Sequence, residues 1–182
     1  MTTQEAEHQV LSELESGERL LWSGVPRQGL VLRSRDAFLI PFSLLWGGFA
    51  FFWEGTVLRS GGPTFFALWG IPFVIMGVYL IVGRFFVDSV QRSRTAYGVT
   101  DRRILILSGL LSKTVKSLSV KTLADVSLTE KADRSGTISF GSVQWYSGAA
   151  WPGARSYLTP SFDMIANAKE VYAQIRQVQV NS

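Results

Sequence analysis

Two long apolar runs dominate the pattern of hydrophobic and polar positions. Residues 37–53 read AFLIPFSLLWGGFAFFW and residues 65–83 read FFALWGIPFVIMGVYLIVG, and neither contains a charged side chain. At a rise of roughly 1.5 Å per residue the second run reaches close to the ~30 Å of a bilayer's hydrocarbon core. A helix on the surface of a soluble protein carries a polar face every third or fourth residue, and neither run has one. The pattern therefore predicts a transmembrane helical hairpin over residues 37–88, with helices at 37–58 and 65–87. Core helices of a soluble protein are the plain alternative, but about a hundred remaining residues are too few to cover two helices that are apolar all round. The first run is short and holds Pro41, which leaves a re-entrant segment open, although Glu54 reaching outward to the headgroups would let the helix extend through Val57 and Leu58. Ser43 and Gly47 are four apart, and Gly70 and Gly77 seven apart, spacings that let two helices approach closely.

Beyond residue 88 the pattern changes to short alternating stretches. Residues 95–100 and 103–108 flank Asp101-Arg102 and read as a β-hairpin, with Asp101 capping its own turn. Further strands are predicted at 114–120, 124–130, 136–142, 143–147 and 154–158, with a polar turn at 132–135. The tail switches to a helical period: Phe162, Ile165, Tyr172 and Ile175 form an apolar stripe over 161–177, with Ser161 as N-cap and Asp163 in the first turn. At the other end, residues 5–15 predict a short amphipathic helix ended near Gly17. Residues 19–24 predict an extended piece that either joins the sheet or lies along the membrane.

Charge gives the hairpin a direction. Arg19, Arg27, Arg33 and Arg35 precede it, Arg84, Arg92, Arg94, Arg102 and Arg103 follow it, and only Arg59 lies in the link. By the positive-inside rule both termini face the cytoplasm, and the protein is expected to be a multi-pass inner-membrane protein. The start of the chain has no basic, apolar leader of the cleaved kind, so the first run is expected to act as an uncleaved anchor. The first eighteen residues carry only acids, whereas residues 84–121 carry eight basic residues against Asp88 and Asp101.

Short antiparallel strands followed by one amphipathic helix are the element order of a pleckstrin-homology-like half-barrel. Tyr97-x-x-Thr100-Asp101-Arg102-Arg103-Ile104, Gly109, and Gly136-Thr137-Ile138-Ser139-Phe140-Gly141 resemble the motifs of the bacterial membrane-anchored PH-like domains of unknown function. Residues 17–26 resemble that family's lead-in, GE-x-x-LW-x-G-x-P. The resemblance implies an α+β membrane protein: a cytoplasmic lead-in at 1–36, the hairpin at 37–88, and a PH-like domain at 89–182 closed by the C-terminal helix. It carries over no catalytic residue.

The residues themselves offer no reaction centre. The chain has no cysteine and a single histidine, His8, which removes thiolate chemistry, the usual serine-hydrolase arrangement and a histidine-based metal site. The acids of residues 88–170 are scattered through turns, and Gly136-x-x-x-x-Gly141 lacks the lysine of a phosphate loop. No catalytic, cofactor or metal residues are expected. Arg102, Arg103, Lys113, Lys116 and Lys121 could form a basic rim toward anionic lipid headgroups, the plainer reading being a solvated, positively charged cytoplasmic face. Trp151, on the loop 147–155, suits a partner contact, the membrane interface or a core plug equally. The expected function is a non-catalytic interaction or assembly module, the alternative being a sensor of anionic lipid or a small ligand. Membrane lipids and an unidentified protein are the expected partners, self-association stays open, and nucleic acid is disfavoured because exposed aromatics are few among the lysines.

Overall fold

The computed structural model describes residues 1–33, 36–109, 112–123, 125–141 and 160–181. The strands expected at 143–147 and 154–158, the loop with Trp151, and Arg35 lie outside the described residues. The chain divides into two compact units. Leu30–Asp88 is one, and Met1–Gly29 together with Ser89–Ser182 is the other.

The first unit is a helical hairpin. Helix α2 spans Asp36–Arg59, α3 spans Thr64–Val78, and one π turn, Tyr79–Gly83, carries α3 directly into α4, Arg84–Ser93, whose residues from Ser89 on belong to the second unit. Both stretches, Asp36–Arg59 and Thr64–Ser93, are long and apolar enough to cross a membrane, with mean hydropathies of 1.4 and 2.3. The second runs past residue 87, where the expected helix ends, because its last turns are amphipathic. The contact between α2 and α3 is a seam of small side chains. Ser43, Gly47 and Ala50 are buried on α2, and Gly70 and Gly77 on α3. A Cβ on Gly77 would stand 3.0 Å from the Gly47 Cα, so the glycines set how closely the helices approach. Glu54 does not reach outward as the sequence suggested. Its carboxyl folds onto Gly70, where a Cβ would meet the Glu54 Cδ at 2.9 Å, because the missing side chain leaves a notch on the neighbouring helix.

The second unit begins with α1, Thr3–Leu11, held by a capping box between Thr2 and Glu5. Strand β1, Leu20–Gly24, follows. After the hairpin come β2 (Ala96–Thr100), β3 (Arg103–Ser108), β4 (Thr114–Ser119), β5 (Val126–Glu130), β6 (Gly136–Phe140) and β7 (Ser161–Ile165), and then α5, Ala168–Asn181. Two antiparallel sheets form, β1-β2-β3-β4 and β5-β6-β7. The open question of the lead-in is thus resolved: β1 pairs with β2, Leu20 opposite Thr100 and Gly24 opposite Tyr97. The hairpin is an insertion between the first two strands of a sheet, and residues 1–29 belong with the domain that follows it. Within the second unit the Arg92 guanidinium donates to the carbonyls of Arg27 and of Gly29, the latter at 2.7 Å.

Tyr97, Val99, Ile104 and Ile106 from the first sheet meet Ile138, Phe140, Phe162 and Ile165 from the second, and α5 adds Ala168, Val171 and Ile175 to that core. Strands β2 and β3 are also buried on their other face, where Ala96, Leu105 and Leu107 pack on Ala6 and Val10 of α1. Gly98 permits that approach, since a Cβ there would stand 2.5 Å from Val10 Cγ1.

The helix expected from Ser161 does not form there. Residues 161–165 are strand β7, and the helix starts only at Ala168. Ser161 is therefore not its N-cap, nor is Asp163 in its first turn. Phe162 and Ile165, three apart, both face the core because Met164 takes a left-handed φ of 50° and the β6–β7 register shifts there. A strand with a bulge here imitates helical spacing.

Candidate functional site

Two of the five expected rim residues, Arg102 and Arg103, sit at the β2–β3 turn. Thr100, not Asp101, caps that turn: its hydroxyl oxygen accepts from the amides of Arg102 at 3.2 Å and Arg103 at 2.9 Å. Asp101 turns instead to the lead-in, accepting from the Arg19 amide at 3.0 Å while its own amide donates to the Arg19 carbonyl. The aspartate was free for this because the threonine one residue earlier had already satisfied the turn.

Arg103 lies inward. Its Nε and one terminal nitrogen each donate at 2.9 Å to the two carboxylate oxygens of Glu18, a bidentate fork. Its other terminal nitrogen sits 3.0 Å from Glu15. Thr100 donates to Glu18 at 2.7 Å and the Glu15 amide at 2.8 Å. The Arg103 guanidinium first, and then these amide and hydroxyl donors, hold the Glu18 carboxyl down to about 2 against the opposing effect of burial. Glu18 in return raises the Arg103 pKa above its ordinary value.

The remaining cations are dispersed. Lys113 pairs with Glu13 beside α1. Lys116 lies opposite Ile106 and is half-buried, while Arg102 and Lys121 are exposed, the latter in a short 3-10 turn after β4. Two of the five rim residues, Arg103 and Lys113, thus have acidic partners from the N-terminal segment. Trp151 lies outside the described residues. Sequence reasoning noted the acidic start and the basic segment but did not join them. The signal was present: the acid of the lead-in GE and the second arginine of TDRR are charges of opposite sign in two motifs of one family. Among the described residues no group of His, Asp and Glu is placed to hold a metal ion.

A family model described as Bacterial PH domain matches residues 38–179. The chain belongs to this family. The bacterial PH domain match takes the hairpin and the following strands and helix as one piece. It starts after the lead-in, so β1, which completes the first sheet, and Glu18, which holds Arg103, stand before it. No curated protein and no solved structure matches the chain.

Proposed function

We propose that the chain is an inner-membrane protein whose two apolar helices span the bilayer and hold a non-catalytic PH-like interaction domain at the cytoplasmic face. The observation that carries this reading is the surface of the hairpin. Phe38, Leu45 and Phe52 are 75%, 76% and 73% exposed, and only 22% and 11% of the two apolar windows are buried. Core helices of a soluble protein would be mostly covered. An apolar surface of this extent needs a lipid solvent. On this reading the seven strands form a half-barrel whose end α5 closes, and the arginine asymmetry puts both termini in the cytoplasm.

Because the chain has no cysteine, single cysteines report topology directly. Ser60→Cys in intact cells should react with a membrane-impermeant maleimide, while Gln4→Cys and Ser182→Cys should react only after permeabilisation. Labelling of either terminus in intact cells would refute the orientation. Release of the protein by alkaline carbonate would refute the anchoring. A basic rim that senses anionic lipid is the weaker reading, since Arg103 and Lys113 are already paired. Vesicle binding by the domain that survives reversal of Lys113, Lys116 and Lys121 to Glu would remove it.

A further inference from the structure

We propose that Arg84, at the base of the hairpin, binds the phosphodiester of a membrane phospholipid, an inference that rests on the membrane reading above. The side chain is 5% exposed, with one terminal nitrogen 3.2 Å from Asp36 and the guanidinium carbon 4.5 Å above the Phe85 ring. Its Nε and its other terminal nitrogen are buried and have no hydrogen-bond partner. Those two N–H groups point the same way and form the edge of the guanidinium that grips two oxygens at once. Arg103 shows that edge filled, with both oxygens of Glu18 at 2.9 Å. In Arg84 the same edge has no hydrogen-bond partner, and a desolvated cation with two unmet donors is costly.

The acids nearby are committed elsewhere. Asp36 takes the far end of Arg84 and accepts from the Arg33 amide at 2.7 Å, and Asp88 pairs with the Arg33 side chain at 3.1 Å. Among the described residues no acid is left over for the fork, and its two oxygens are assigned to a ligand. The chain's own atoms cover both donors, so a ligand reaches them as the surrounding side chains turn aside, and the anion most abundant at this depth is a phosphodiester carrying acyl chains rather than hydrated inorganic phosphate. The place fits that ligand: Arg84 directly follows the last residue of the apolar run, the depth at which headgroup phosphates lie. It lies seven residues past Gly77, which is seven past Gly70, with the π turn Tyr79–Gly83 immediately before it. π turns recur at functional sites.

The test uses the full chain, purified in detergent and stripped of lipid, in native mass spectrometry. Phosphatidylglycerol, diacylglycerol as the phosphate-free counterpart, and inorganic phosphate are added separately. The expected result is one phosphatidylglycerol per chain, no comparable uptake of diacylglycerol, and binding at least tenfold weaker in Arg84→Lys, which keeps the charge and loses the fork. Equal uptake by wild type and Arg84→Lys, or equal uptake of the two lipids, overturns the proposal. Inorganic phosphate bound through Arg84 in place of the lipid overturns the lipid source. Hydrogen exchange in the wild type gives a second measurement that needs no variant: phosphatidylglycerol, and not diacylglycerol, should slow the amides of 79–88, and equal effects refute the site. Recovery of the chain in buffer without detergent would end the membrane reading separately, and inorganic phosphate then tests the fork itself.

Discussion

Replacing Glu18 with Gln should destabilise the domain at neutral pH and weaken its acid sensitivity. Glu18 accepts from Arg103 twice, from Thr100 and from the Glu15 amide, and its carboxyl is held from 4.5 down to about 2. At about 1.4 kcal/mol per pH unit this corresponds to about 3 kcal/mol of stability. The folded pKa is depressed, so the contribution is complete above about pH 5 and is lost as the pH falls toward 2. The Gln variant lacks the charge at every pH. It should therefore begin about 3 kcal/mol lower at pH 7 and lose less between pH 5 and 2. Urea unfolding of the full chain in mild detergent, followed by near-ultraviolet circular dichroism of the Trp22–Phe162–Tyr97 cluster, reads both quantities. Glu18→Leu with Arg103→Met should recover part of the loss, since an unpaired buried charge is worse than none. A Gln variant that unfolds at the wild-type urea concentration at pH 7, or with the wild-type acid slope, would refute the assignment.

Three further outcomes can be checked in the same preparation. Tyr97→Ala should cost about 3–5 kcal/mol, because the ring stacks on Phe162 at 4.6 Å and its hydroxyl accepts from the Asp163 amide at 3.1 Å; an unchanged urea midpoint would contradict this. Gly136→Val should prevent folding of the domain, since a Cβ there would stand 2.7 Å from the Thr129 carbonyl and 2.8 Å from Ala168 Cβ, and soluble, native-like circular dichroism would contradict that. Gly77→Leu should force α2 and α3 apart without unfolding the domain, read as a lower crosslinking yield between cysteines placed at Ala50 and Val74.

Local patterns were the legible part. The β2–β3 hairpin follows from alternation around Asp101-Arg102, and β4, β5 and β6 from short apolar stretches between polar turns. The small-residue seam of the hairpin follows from Ser43, Gly47, Gly70 and Gly77. What escaped depends on partners distant in sequence. Strand β1 is five residues long and finds β2 only across the whole hairpin, so nothing local says that it joins the sheet. Phe162 and Ile165 fit a helix and a bulged strand equally well until Tyr97, Phe140 and Trp22 are seen around the Phe162 ring. Arg103 looked like a surface cation because Glu18 is 85 residues away.

Placing the hairpin between β1 and β2 also dictates an order of biosynthesis. The ribosome delivers β1 first, then both apolar helices, and only afterwards β2, so the nascent β1 waits unpaired until residue 100 is out. Both helices have by then left the ribosome, and on the membrane reading they enter the bilayer before the first sheet can close. Joining Gly29 directly to Ser89 should remove that delay and yield a domain that folds in water, whereas residues 92–182 alone, without α1 and β1, should not fold.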